Sequence, residues 1–234
     1  MLKVIKRSLL AFALIASSPA TANYYSTHFP LTENPISEGG KWTPGTLDGF
    51  NSSVYTNGTN DAFGNQISNT IADPIAILTG AGSWANDQAV SITVGNLSGA
   101  TNEPEIECHV RMNITSTTIS GYEITHSVPP ANGQGGYILL AKWGPTPGTF
   151  TIINQTFGTQ YNAAQGDVIS CSAIGNVMTS YHNGVVDGQF TDTDWPSGYP
   201  GFAFDGGLDG TYSITSFSAT DQPAALEELR NRGK

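Results

Sequence analysis

The chain has 234 residues, nine Lys+Arg against nineteen Asp+Glu, and a formal charge of −10. Between its two ends the only basic side chains are Lys41, Arg111 and Lys142, which excludes nucleic acid and anionic membrane surfaces as partners, because both need a basic footprint. The same acidity disfavours polyanionic polysaccharides, and the length suits one large all-β domain with a full core.

Residues 1–22 read as a secretory signal peptide. Lys3, Lys6 and Arg7 precede the apolar run Leu9 to Ala16, and Ala20-Thr21-Ala22 supplies the small cleavage residues. The run is too short to span a bilayer, so a secreted or periplasmic chain is predicted rather than an anchored one. Cleavage leaves six basic and nineteen acidic side chains, a formal charge of −13. Residues 23–220 then form the domain and 221–234 a tail. Cys108 and Cys171 are the only cysteines. In an oxidising compartment an even count suggests a disulfide, with a metal pair or two buried thiols as the alternatives.

Residues 23–50 and 48–69 are loop-like in composition, with one possible strand at Ser53 to Thr56 and with Trp42 as a core plug. Pro74 breaks the run Thr70 to Leu78 and places it near a sheet edge. Ala89 to Val94 alternates cleanly and reads as a strand. In the next run, Glu103 to Thr115, Ile106, Cys108, Val110, Met112 and Ile114 share one face; Glu105, Glu107, His109, Arg111 and Asn113 share the other. Strands follow at Tyr122 to Val128, Tyr137 to Trp143 and Thr149 to Thr156. A meander comes next: Asp167 to Ile174, Val177 to His182 and a third run, joined by Gly175-Asn176 and Asn183-Gly184, where positive φ is expected. Phe202 to Phe204 resumes after a proline-rich bend, and Thr211 to Ala219 closes the domain beside its N-terminal strand. About a dozen strands at this spacing predict an all-β, two-sheet antiparallel jelly-roll sandwich. The tail PAALEELRNR, residues 223–232, predicts a short C-terminal helix.

The order of these features resembles bacterial secreted proteins of the concanavalin A-like lectin/glucanase superfamily, in its laminin-G-like branch. The residues that carry the likeness are NPISEGGKW from Asn34, HVRM from His109, Gly121-Tyr122, Gly136-Tyr137, GDVISCSAIGN from Gly166, YHNGVVDG from Tyr181, YPGFAF from Tyr199 and ITSFSATD from Ile214. The resemblance implies two stacked sheets, a concave one presenting polar and aromatic groups to a glycan, and tip loops that often hold calcium.

Several groups are candidates for chemistry. Glu103, Glu105 and Glu107 approximate the glutamate motif of laminarinase-like relatives, with Glu in place of Asp and Pro104 inside the motif. Neighbours at i and i+2 on a strand lie ~6.6 Å apart at the backbone, near the ~5–9.5 Å that glycoside hydrolysis requires of its carboxyls. His109 and Arg111, with His126, His182 and Tyr181, offer the residue types of polysaccharide lyases, although the usual lyase strand motifs are absent. Among the aromatic groups, Tyr137, Tyr181, Trp195 and Tyr199, together with His182, are the expected ligand-binding set, because flat rings suit the apolar faces of sugars. Asp205 and Asp209, with Asp192 and Asp194, are candidate calcium ligands in glycine-rich loops. The expected function is recognition of a polysaccharide or glycan without chemistry. The alternatives are a polysaccharide-degrading enzyme on the same fold, acting through Glu105 and Glu107 or through His109 and Arg111, and a surface or assembly protein.

Overall fold

The computed structural model describes residues 22–45, 52–66, 73–97, 104–128, 135–206 and 210–222. The described strands are β1 (Tyr24–Thr27), β2 (Thr32–Glu33), β3 (Thr43–Pro44), β4 (Ser52–Asn57), β5 (Ala62–Gln66), β6 (Ile75–Ile77), β7 (Gln88–Val94) and β8 (Glu105–Ile114). They continue with β9 (Ile119–Ser127), β10 (Tyr137–Trp143), β11 (Phe150–Phe157), β12 (Val168–Ile174), β13 (Val177–His182), β14 (Val185–Thr191), β15 (Tyr199–Asp205) and β16 (Ile214–Thr220). They form two antiparallel sheets. One runs β14-β13-β12-β7-β16-β5-β4-β2, with β1 also on β16; the other runs β11-β10-β9-β8-β15-β6-β3. The one helical segment among the described residues is a 3-10 turn at Thr159–Tyr161. The helix predicted over 223–232 lies outside the described residues, as do Glu103, Asp209 and the signal peptide apart from Ala22.

Period-two alternation builds the core. Val90, Ile92 and Val94 of β7, Ile169 and Ala173 of β12, Ile106 and Val110 of β8, and Ile138 and Leu140 of β10 all pack between the sheets. Trp42 joins them as predicted, its ring 5.3 Å from Phe202 and 5.0 Å from Phe217. Cys108 of β8 and Cys171 of β12 are disulfide-bonded across this layer, at a sequence separation of 63. Closing a loop of that size contributes about 4 kcal/mol in the chain-entropy picture. The β13–β14 turn has φ 49° at Asn183 and 80° at Gly184, as a type I′ hairpin requires. In the β12–β13 turn only Gly175 has positive φ, 55°.

The seven-stranded sheet is buried on its second face too. There Ile75, Ile77, Met112, Ile119, Trp143 and Ala203 form a separate apolar cluster. Met112 in that cluster corrects the predicted alternation, which put it on the core face with Cys108. A bulge is the cause: Val110 pairs Tyr122 and Asn113 pairs Ser120, so Arg111 and Met112 together oppose Gly121. Arg111 takes φ 56°. Gly121 allows the close approach, since a Cβ there would stand 2.3 Å from the Met112 sulfur.

Candidate functional site

Strand register assembles an acidic patch on the outer face of the seven-stranded sheet, the face turned away from the main core. On β8, Glu105 pairs Asp205 of β15, Glu107 pairs Thr125 of β9, and His109 pairs Glu123. Glu107, His109 and Glu123 are 1%, 0% and 6% exposed, so the centre of the patch is sealed. Glu105, Glu107 and Glu123 each have a partner. His109 Nε2 lies 2.9 Å from Glu107 Oε2. Glu123 accepts hydrogen bonds from the Thr125 hydroxyl and from Trp143 Nε1, both at 2.7 Å, and the Tyr137 hydroxyl donates to Glu105.

Burial and mutual repulsion set the protonation of this patch. Desolvation, then the charge of Glu123, drives Glu107 well above the usual carboxylate range, and Glu105 shifts the same way for the same two reasons. Desolvation and the Asp205 charge push Asp73 up to about 8. Desolvation lifts Glu123 to about 6 against the pull of its two donors. Burial lowers His109 to about 3. Both shifts favour the uncharged forms of Glu107 and His109. The buried His109 Nδ1 has no hydrogen-bond partner among the described residues.

The accessible part of the face lies at its rim. Glu105, Asp205 and Tyr137 are half-buried there, and Phe157, 69% exposed, pairs directly with Tyr137, the two rings 6.1 Å apart. A second ring pair, the buried Trp143 and the exposed Phe150, 5.6 Å apart, marks the other end of β10 and β11. Six residues of strand separate the two pairs, about 20 Å. Sequence reasoning missed Phe157, Phe150 and Glu123; their alternation with Tyr137 and Trp143 on paired strands was the signal, but the register was needed to read it.

The other predicted residues are dispersed. The bulge turns Arg111 away from His109: its Nε donates to Asn86 O at 2.7 Å, one terminal nitrogen donates to Gly175 O at 2.6 Å, and Asp87 lies at 3.5 Å. A joint His109/Arg111 lyase face therefore does not form. Tyr181 and His182 point to opposite faces of β13. The Tyr181 hydroxyl reaches Ser172 at 3.4 Å, whereas the His182 ring lies 5.5 Å from that of His126 between the sheets. Trp195 packs against the main core, with its Nε1 buried, instead of standing free in its loop. Tyr199 packs beside Met112 in the second apolar cluster. Lys142 Nζ sits 2.7 Å from Asp192 and 2.6 Å from Asp194, so one cation engages two of the carboxylates considered for calcium. Asp205 accepts a hydrogen bond from Gly206 N at 2.6 Å beside Glu105.

No protein-family model matches the sequence, and no curated protein matches it. Solved structures do match the fold. A carbohydrate-binding module from Bacillus subtilis, CBM66, superposes with TM-score 0.53 at 12% identity, over 80% of this chain and 95% of that one. The CBM2 module of the evolved Dit protein of Lactobacillus casei BL23 phage J-1 gives 0.54 at 11%, over 85% and 95%. The fold is the concanavalin A-like jelly roll. A glycoside hydrolase family 16 endo-glucanase from Bacteroides ovatus shares this jelly roll, with TM-score 0.50 at 11% identity, over 83% of this chain and 99% of that one.

Proposed function

We propose that this chain is an exported carbohydrate-binding domain that takes an extended, neutral glycan along the outer face of the seven-stranded sheet. The observation that carries the reading is the rim of that face, where the Tyr137–Phe157 ring pair stands beside the Glu105 and Asp205 carboxyls. Rings cover the apolar faces of sugars while carboxyl groups accept from their hydroxyls. Phe150, 51% exposed over the buried Trp143 ring, lies far enough along the strands to favour a polymer over a terminal sugar. The carbohydrate-binding modules with the same fold support the ligand class. The disulfide suits an oxidising compartment, in keeping with the signal-peptide reading of residues 1–22.

Hydrolysis is the second reading, favoured by one pair. Glu105 and Asp205 are direct cross-strand neighbours, a position that sets Cβ atoms ~4.5–5.5 Å apart, and desolvation shifts Glu105 towards the protonated form that a general acid needs. Glu107, predicted as the second carboxyl, is sealed from solvent.

The test is retention of the purified chain on insoluble neutral polysaccharides, with and without calcium, together with assay for reducing ends and unsaturated products. Retention without product, reduced about tenfold by Tyr137→Ala or Phe157→Ala, supports the binding domain. Reducing ends that vanish in Glu105→Gln overturn it in favour of hydrolysis, and absence of both retention and product overturns both readings.

A further inference from the structure

A second histidine–carboxylate cluster lies inside the sandwich, apart from the glycan face. His126 of β9 projects from the seven-stranded sheet, and His182 of β13 and Asp187 of β14 project from the other. Each offers a ligand atom, and these atoms lie within 4.8 Å of one another. Asp187 reaches the interior because of a bulge: Ser180 pairs Gly188 and Tyr181 pairs Val186, leaving Asp187 as the extra residue. Its Oδ2 lies 2.8 Å from His126 Nε2. His182 Nε2 lies 2.8 Å from Asp167 Oδ2, and Asn183 donates to the other Asp167 oxygen at 2.7 Å.

One polar atom of this cluster, His126 Nδ1, is fully buried with no hydrogen-bond partner among the described residues, whereas Asp187 has the Ser180 hydroxyl beside it as a further donor. A buried polar atom left unpaired is costly, and in a cluster of imidazole and carboxylate it points to a ligand. His126 itself is 0% exposed, while the His182 and Asp187 side chains are 16% and 12% exposed, leaving a way in from solvent.

We propose that His126, His182 and Asp187 bind a divalent first-row transition metal of the zinc class. Two imidazoles and one carboxylate are the donor set such ions prefer, whereas calcium takes six to eight oxygens. Tetrahedral closure needs donor atoms about 3.3 Å apart, so small side-chain rotations bring the three ligands onto the ion. Asp167 holds the His182 ring, as outer carboxylates do for metal-bound histidines. Asp167 and Asp187 together balance the dication inside the sandwich. The position gives the metal a structural role. His126 follows Ile124, the partner of Cys108, by two residues, and His182 follows Ser180, the partner of Cys171, by two. The ion would tie the two sheets one same-facing step, about 6.6 Å, along from the disulfide.

The purified chain, stripped with chelator and desalted, should take up one equivalent of Zn2+ in competition with a chromophoric chelator. Co2+ in its place should give the visible d–d absorption of a tetrahedral site, and metal should raise the thermal midpoint. His182→Gln and Asp187→Asn, both conservative changes at partly exposed positions, should lose the Co2+ spectrum while keeping the far-ultraviolet circular dichroism of the parent. Asp167→Asn, which removes only the carboxylate that orients His182, should weaken uptake about tenfold. No uptake by the parent, or uptake of unchanged affinity in both His182→Gln and Asp187→Asn, would overturn the proposal.

Discussion

Two histidine–carboxylate clusters occupy opposite faces of the same sheet, and their carboxyls are driven in opposite directions. On the outer face Glu105, Glu107, Glu123 and Asp73 are all raised, first by desolvation and then by one another's charge. Between the sheets burial also works against Asp187 and Asp167, yet both fall below the usual range. Hydrogen bonds from His126 hold Asp187 there, and bonds from Asn183 and His182 hold Asp167. What differs is depth together with charge: Glu107 and Glu123 are 1% and 6% exposed, whereas the Asp187 and Asp167 side chains are 12% and 20% exposed and face histidines. Lys142 and Arg111, the two basic residues nearest in sequence, are engaged with Asp192 and Asp194 and with Asp87, so no Lys or Arg is spent on the outer patch. Where desolvation is nearly complete, as at Glu123, two donors do not offset it; where it is partial, as at Asp167 and Asp187, they do.

The sharpest way to break this contrast is to remove the best-satisfied carboxyl of the outer patch. Glu123→Ala strands the buried Trp143 Nε1 and the Thr125 hydroxyl, and should cost about 2–3 kcal/mol in a urea unfolding experiment. Glu123→Gln, which keeps an acceptor in place, should cost less than half of that. Equal losses would show that volume rather than hydrogen bonding matters at this position.

The next effect is on pH dependence. Raised carboxyls stabilise the fold below their unfolded pKa, and that stability is lost as pH rises through the folded value. Stability should therefore fall as pH climbs from about 4 through 8, as Glu123 ionises near 6 and Asp73 near 8. His109 acts the other way: its folded pKa of about 3 lies below 6.5, so its contribution is complete above that value and lost on acidification towards 3. Asp73→Asn should flatten the slope between pH 6 and 8. An unchanged slope would mean that Asp73 does not titrate there.

Smaller effects come from carboxyls that have donors. Asp187→Asn in metal-free protein should cost about 1 kcal/mol, because the amide oxygen still accepts from His126. Lys142→Met should cost less still, under about 1 kcal/mol, since the Lys142–Asp194 pair is open to solvent. Salt should reduce the second effect and leave the first.

The contrast also separates what was legible in the sequence from what was not. Alternation within single strands carried β7 as a strand and the core face of β8 as far as Val110, and Asn183-Gly184 carried its hairpin, because both signals are local to the chain. Glu105, Glu107 and His109 were correctly placed on one face of β8 for the same reason. Arg111 was misplaced, since a bulge that depends on Gly121 of the neighbouring strand shifts the phase from there on. Trp195 looked like an exposed ring in a polar loop and instead caps the core.

The sequence by itself determined the two-sheet antiparallel sandwich, most of its strands, the disulfide partners and the acidic edge of β8. Tertiary structure alone decided that Glu123 completes the outer patch, that Phe157 stands beside Tyr137, and that His126, His182 and Asp187 meet between the sheets. The physical reason is that side-chain period is a property of one strand, whereas register, bulges and sheet stacking are settled only when strands far apart in the chain pair and bury their faces together.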